Sequence, residues 1–179
     1  MAKIELVNRK FPDWLKVRLP KPEKVQQVEQ MMREARLHTV CESARCPNLP
    51  ECWSKGSATF MILGDICTRH CGFCAIKTGK PLALDPQEPQ RLADAAKRMG
   101  LKHIVVTSVA RDDLPDEGAG QFAATIRALH ATIPNAIVEV LTPDFKAKSW
   151  CIRRVVDAEP EIFNHNIETV ARLHAIVRP

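Results

Sequence analysis

Three cysteines stand together in Cys67-Thr68-Arg69-His70-Cys71-Gly72-Phe73-Cys74, a C-x3-C-x2-C spacing. Three thiolates on one tight loop, with no fourth at matching spacing, can ligate three irons of a four-iron cube and leave the fourth iron open. An open iron can bind a small molecule. Thiolates are soft ligands, which selects iron–sulfur or zinc over hard cations. A second set, Cys41-x4-Cys46-x5-Cys52, again offers three thiolates from one loop, so a second cluster is expected, with its fourth ligand from elsewhere. The bland alternatives are structural zinc and buried free cysteines. Zinc takes four ligands, often from paired C-x2-C knuckles. Only Cys71 and Cys74 make such a knuckle, and His70 is too close to Cys71 to complete it easily, whereas His38 could complete a zinc site with Cys41, Cys46 and Cys52. Cys151 stands alone in a predicted helix and reads as a small core residue.

The surrounding chain is ordinary for a globular protein: 179 residues, 45% hydrophobic and 26% charged, which excludes a disordered tail. The formal net charge of +5 is mild and dispersed, too small to make nucleic acid the main partner. There is no run of eighteen apolar residues to span a membrane, and the opening Met1-Ala2-Lys3-Ile4-Glu5-Leu6 brings an acid where a secretory signal would have its apolar core. A cytoplasmic chain is the expectation. Seven cysteines, six of them between Cys41 and Cys74, then indicate metal chemistry rather than disulfides.

The elements that must position these thiols follow from pattern. Residues 1 to about 24 look like an extended arm, with Phe11, Trp14 and helix-breaking Pro12, Pro20 and Pro22. Residues 24 to 36 carry Val25, Val28, Met32 and Ala35 at helical spacing, and 41 to 52 read as a cysteine-rich loop. From residue 58 strands and helices alternate. Strands are expected at 58–63, 103–107, 136–141 and 161–164, and helices at 88–99 (closed by Gly100), 120–131, 148–157 and 168–177. Such alternation means an α/β chain with parallel pairing and right-handed crossovers. Four βα units are too few to close a barrel, so a partial TIM-type barrel is expected. The C-x3-C-x2-C loop directly follows the first strand, which puts it at the C-terminal face of the sheet, where barrel enzymes do their chemistry.

Polar residues gather behind the other strands. Thr107, Ser108, Arg111 and Asp112 follow the second strand, where a bound ligand would lie, or form a polar, capping turn. Asn164, His165, Asn166 and Glu168 follow the fourth and suit hydroxyl and amine groups, unless Asn166 caps the helix expected near Glu168. Glu139, a lone acid in an apolar strand, faces either the barrel interior or solvent, with the interior favoured.

C-x3-C-x2-C after the first strand resembles the signature of radical S-adenosylmethionine enzymes. Preceded by Cys41-Glu42-Ser43-Ala44-Arg45-Cys46-Pro47-Asn48-Leu49-Pro50-Glu51-Cys52, it resembles the lipoyl synthases among them. Pro12-Asp13-Trp14-Leu15-Lys16-Val17-Arg18-Leu19-Pro20, Ala58-Thr59-Phe60-Met61-Ile62-Leu63-Gly64, Thr107-Ser108-Val109-Ala110-Arg111-Asp112-Asp113-Leu114 and Phe163-Asn164-His165-Asn166-Ile167-Glu168-Thr169-Val170 resemble further blocks of that family. The resemblance covers nearly the whole chain. The rival readings are another radical S-adenosylmethionine enzyme and an inactive or zinc-binding fragment.

The resemblance implies two [4Fe-4S] clusters with different tasks. The one on Cys67, Cys71 and Cys74 binds S-adenosylmethionine through its open iron and cleaves it to a 5′-deoxyadenosyl radical. That radical takes hydrogen from C6 and C8 of an octanoyl chain on a lipoyl-carrier protein, a lipoyl domain or the glycine-cleavage H protein. The auxiliary cluster on Cys41, Cys46 and Cys52 supplies two sulfur atoms. Electrons come from a donor such as ferredoxin or flavodoxin. S-adenosylmethionine contacts are expected at Phe73 (on the adenine, if not in the core), Thr107, Ser108, Arg111, Asp112, Asn164, Asn166 and Glu168. Residues 1–57 are read as an extension bearing the auxiliary cluster and 58–179 as the partial barrel. The family continues further, through its last barrel strands and an Arg-Ser-Ser-Tyr segment whose serine is the fourth auxiliary ligand. This chain lacks that segment and is expected to be the front part of something longer. It also departs from the family at Glu117, where glycine is usual, and at Lys148-Ser149-Trp150-Cys151.

Overall fold

The computed structural model describes residues 22–178, so the expected N-terminal arm lies, up to residue 21, outside the described residues. Helix α1 (Pro22–Glu34) buries Val28 and Met32 and packs on α3 (Leu49–Ser54). Between them come the two-residue strand β1 (His38–Thr39) and helix α2 (Val40–Ser43). The stretch expected as a loop over 41–52 thus contains two short helices. Their signals are local: Thr39 and Glu42 stand at capping-box spacing, the Thr39 hydroxyl accepting the Glu42 N–H at 3.2 Å and donating to its carboxylate at 3.0 Å. Pro50 occupies the first turn of α3, where a missing N–H costs nothing. Helices of 4 and 6 residues are too short to display a 3.6-residue period.

The repeating part runs β2 (Thr59–Ile62), β3 (Ile66–Cys67), β4 (Lys77–Thr78), α4 (Glu88–Arg98), β5 (His103–Ser108), α5 (Ala119–Thr132), β6 (Ile137–Leu141), α6 (Ser149–Val156) and β7 (Ile162–Asn164). A 3-10 turn at Phe145–Ala147 precedes α6. The main sheet has the order β1-β2-β5-β6-β7, with β1 antiparallel to β2 and every other pair parallel. This is the expected α/β architecture, with four parallel strands of a partial TIM-type barrel. Helix α4 ends as its glycine foretold: at Gly100 (φ 66°) the Leu101 N–H returns to the Ala96 carbonyl and the Gly100 N–H to that of Lys97.

Register sorts the two faces of the sheet. Phe60, Val106 and Val140 are paired neighbours, fully buried, and share one core with Leu92, Phe122 and Ile126 of the helices. Each such side chain contributes about 2 kcal/mol by leaving water. Phe122 meets Phe145 edge to face at 6.1 Å, tying α5 to the turn behind β6. On the other face Met61, Thr107, Leu141 and Asn164 are register partners. Glu139 also lies on that face, 21% exposed, bonded to His103 Nε2 at 2.7 Å and to Asn164 Nδ2 at 2.6 Å, so the interior placement holds.

One expected element is different. Residues 168–177 hold a 3-10 turn (Ala171–Leu173) and a single helical turn, α7 (His174–Val177), instead of a continuous helix. Glu168 adopts a left-handed φ of 67°, which interrupts helical backbone, so Asn166 has no helix to cap there. Ile167, Val170 and Ile176 are 71%, 58% and 77% exposed, and a short amphipathic stripe on which no described residue packs lacks what stabilises most helices.

Candidate functional site

The cysteine loop departs from β2 through a constrained turn. Leu63 has a left-handed φ of 72°, which costs a branched side chain about 1 kcal/mol or more. Its N–H donates to the buried Glu88 carboxylate at 3.1 Å, and Gln121 Nε2 donates to the same oxygen at 2.8 Å. Its carbonyl faces Arg111 Nη1 at 3.4 Å. Opposite, Gly118 approaches so closely that a Cβ there would stand 2.3 Å from Leu63 Cδ1. The excursion then closes on itself. Cys67 in β3 pairs with Thr78 in β4, and Gly79 N–H donates to the Cys67 carbonyl at 3.0 Å.

From that base the loop is fastened across the strand ends. Thr68 binds the segment behind β5 by its N–H to the Ala110 carbonyl at 3.1 Å and its hydroxyl to Asp112 Oδ2 at 2.6 Å. Arg69 presents one edge of its guanidinium to Asp112 (Nε–Oδ2 2.9 Å, Nη2–Oδ1 2.7 Å) and another to Asp144 behind β6 (Nη1–Oδ2 2.6 Å, Nη2–Oδ1 3.0 Å). Hydrogen bonds from Arg69 hold both carboxyls below the usual carboxylate range, and the same bonds raise the guanidinium further. The Cys67 sulfur accepts the N–H groups of Arg69 and Ala110, each at 3.4 Å.

One pocket collects most of the expected site. Cys67, Cys71 and Cys74 line it together with Phe73, Thr107, Ser108, Asn166 and Glu168. Burial, then the neighbouring thiols of Cys67 and Cys74, push the Cys71 thiol above its ordinary value. Ser108 Oγ is buried without a hydrogen-bond partner among the described residues, and Ser108 pairs in register with Ile62, on the face opposite Thr107. Phe73 is 54% exposed and therefore free of the core. Among the described residues no three His, Cys, Asp or Glu side chains converge as a single-ion site does. A cubane asks for something else, one thiolate on each of three irons, and three thiols around one pocket suit it.

Other expected residues lie elsewhere. Arg111 is buried at 3% exposure, gripping Asp113 through two bonds of 2.9 Å and the Leu82 carbonyl at 3.1 Å, so it braces loops. Asp112 is engaged with Thr68, Arg69 and Lys146 outside the pocket. Asn164 holds Glu139, and His165 Nδ1 meets the Thr142 carbonyl at 2.8 Å. Cys41 is buried at the start of α2, Cys46 follows that helix with its N–H on the Cys41 carbonyl at 3.0 Å, and Cys52 sits in α3; none of the three lines the pocket of the other triplet. Cys151 is fully buried, as expected.

Thr68, Arg69, Asp144 and Arg178 join the site without having been expected there from sequence. Arg178 lines the pocket, lies 3.9 Å from Asp144 and donates to the Asn166 carbonyl, while Gly72 N–H donates to the carbonyl of Val177 at 2.9 Å. For Arg69 the available signal was its place inside the cysteine spacing; its partners are 43 and 75 positions away.

Residues 61–179 match the family model of the radical SAM superfamily, and the chain belongs to that superfamily, whose members in general use a [4Fe-4S] cluster and S-adenosylmethionine. Residues 2–46 match the N-terminal domain of lipoyl synthase of the radical SAM family. The chain is 59% identical over 168 residues to a lipoyl synthase of Rubrobacter xylanophilus, covering 94% of this chain and 52% of that protein. It is 56% identical over 172 residues to a lipoyl synthase of Symbiobacterium thermophilum, covering 96% and 53%. It thus spans about half the length of the curated relatives it matches. No helix among the described residues is long and apolar enough to cross a membrane.

Proposed function

We propose that this chain serves lipoyl synthase activity, the insertion of two sulfur atoms at C6 and C8 of a protein-bound octanoyl group, and that it contributes the radical-generating site. The observation that carries this reading is the single pocket at the C-terminal ends of parallel strands that Cys67, Cys71 and Cys74 line together with Phe73, Thr107, Asn166 and Glu168. When bound there, a four-iron cluster and S-adenosylmethionine supply a carbon radical able to take hydrogen from an unactivated C–H bond. Cys67, Cys71 and Cys74 hold the cluster. Thr107, with Asn166 and Glu168 across the pocket, offers hydroxyl, amide and carboxylate groups to the ribose and methionyl ends, Ser108 forms part of the pocket wall, and the exposed Phe73 ring packs on the adenine. Asp112, Arg111 and Asn164 act behind these residues by fixing loops.

In this reading residues 1–57 form the extension whose Cys41, Cys46 and Cys52 hold the auxiliary, sulfur-donating cluster, and 58–179 form the partial barrel. The resemblance gives the auxiliary cluster a serine as fourth ligand, in an Arg-Ser-Ser-Tyr segment that these 179 residues do not include. The partners are an octanoylated lipoyl domain or glycine-cleavage H protein and an electron donor of the ferredoxin or flavodoxin kind, all in the cytoplasm.

The test is iron and acid-labile sulfide per chain after anaerobic reconstitution, with electron paramagnetic resonance spectra before and after S-adenosylmethionine. About four irons and a spectrum that changes with the cofactor are expected from the radical-site triplet alone, and about eight if both clusters assemble. Zinc without sulfide refutes the reading.

A further inference from the structure

Arg69 lies between two of the three thiols, and its guanidinium spends four of its bonds on carboxylates from two different strand ends. The Arg69 and Asp112 side chains are 17% and 20% exposed and that of Asp144 36%, so the bonds are partly shielded from water. A planar fork can satisfy two carboxylates at once; an ammonium presents a point charge and cannot reproduce both edges. The backbone of the same residue supplies one of the two N–H groups on the Cys67 sulfur, and Ala110, two positions before Asp112, supplies the other. Side chain and main chain of Arg69 therefore act on one geometry. The first ties the loop to β5 and β6, and the second points a dipole at a ligand atom.

We propose that Arg69 is a positioning residue: its double ion pair with Asp112 and Asp144 locks the C-x3-C-x2-C excursion onto the strand ends, keeping two N–H groups on the Cys67 sulfur and thereby setting the retention and reduction potential of the bound cluster. This rests on the cluster-binding reading of Cys67, Cys71 and Cys74 given above. Hydrogen bonds to cluster sulfurs raise the potential, so loosening the lock lowers it. Loss of residues that orient metal ligands typically costs about 10- to 100-fold in metal retention.

The experiment compares reconstituted wild type with Arg69→Gln, Arg69→Lys and Asp144→Asn, with Glu34→Gln as a control that disturbs the separate Arg98 pair on α1 and α4. The rate of iron release to a chelator and the midpoint potential from a redox titration are read for each. Arg69→Gln is expected to release iron about 10-fold faster or more, at a lower potential, with Arg69→Lys intermediate and Glu34→Gln at wild-type rate and potential. Should Arg69→Gln fail to fold, Asp144→Asn, which keeps shape and removes one charge, is expected to show the same two shifts in smaller measure. A loaded wild type whose variants match it in rate and potential overturns the lock alone. A wild type that takes up no iron and sulfide overturns the lock together with the reading beneath it.

Discussion

Replacing Gly118 by alanine tests the turn that launches the cysteine loop. Two costs combine at this position. Gly118 has φ +88°, where a Cβ costs about 1 kcal/mol or more. The new Cβ would also lie 2.3 Å from Leu63 Cδ1, and Leu63 is itself held left-handed by Glu88 and Arg111, with 4% of its surface exposed. Displacing a packed leucine adds about 1–3 kcal/mol. The sum is about 2–4 kcal/mol, read as the loss in unfolding free energy from urea titrations. Gly100→Ala is the matched control: its φ is +66° and nothing lies within 4 Å, so only the backbone cost of about 1 kcal/mol is expected. Truncation relieves the overlap, so Leu63→Ala should cost at least about 1 kcal/mol less in the Gly118→Ala background than alone. Equal losses for Gly118→Ala and Gly100→Ala, within about 0.5 kcal/mol, would refute the contact as the source.

Glu117 occupies a left-handed position (φ 54°) while its buried carboxylate meets Lys148 at 2.7 Å and Lys146 at 3.5 Å. Glu117→Ala keeps the backbone strain and removes the carboxylate from Lys148, which retains the Pro115 carbonyl, while Lys146 retains Asp112, so denaturant titration should show a loss of about 1–2 kcal/mol, with Glu117→Gly about 1 kcal/mol milder. Asp112 and Asp144 are held below the usual carboxylate range by Arg69, against about 3.9 in an unfolded chain. Their contribution is therefore present above about pH 4 and lost as pH falls through their lower folded values. The urea midpoint of the metal-free protein should drop between pH 5 and pH 3, and drop less steeply in Asp144→Asn. Cys151 is fully buried, so alkylation followed by mass spectrometry should leave it unlabelled in native buffer and label it in denaturant.

The family's usual glycine and this chain's glutamate at position 117 have a common explanation. The backbone there is left-handed, which glycine adopts freely. Here the ion pair with Lys148 offsets the strain, and Lys148 opens the other segment that departs from the family's pattern. Both departures were visible in the sequence as oddities, 31 positions apart, with nothing to connect them. The helices in 41–52 were legible in principle, through Thr39-x-x-Glu42 and Leu49-Pro50. Their shortness hid them, because periodicity needs several turns to declare itself.

Features that depend on neighbours along the chain could be read from the order of residues. The two cysteine spacings, the four parallel strands with their apolar runs, and the Gly100 helix stop are all of this kind. Residues 168–177 lie at the boundary. Their helical pattern is local, but a short helix needs a packed face, and Ile167, Val170 and Ile176 have none among the described residues. Which expected residues face the thiols and which brace them depends instead on packing between distant segments. Phe73, Thr107, Ser108, Asn166 and Glu168 share the pocket, while Arg111, Asp112 and Asn164 are committed to other partners. The physical reason is that a hydrogen bond from Leu63 to Glu88, or from Arg69 to Asp144, joins groups 25 and 75 positions apart, and such groups meet only when sheet register and helix packing bring the strand ends together.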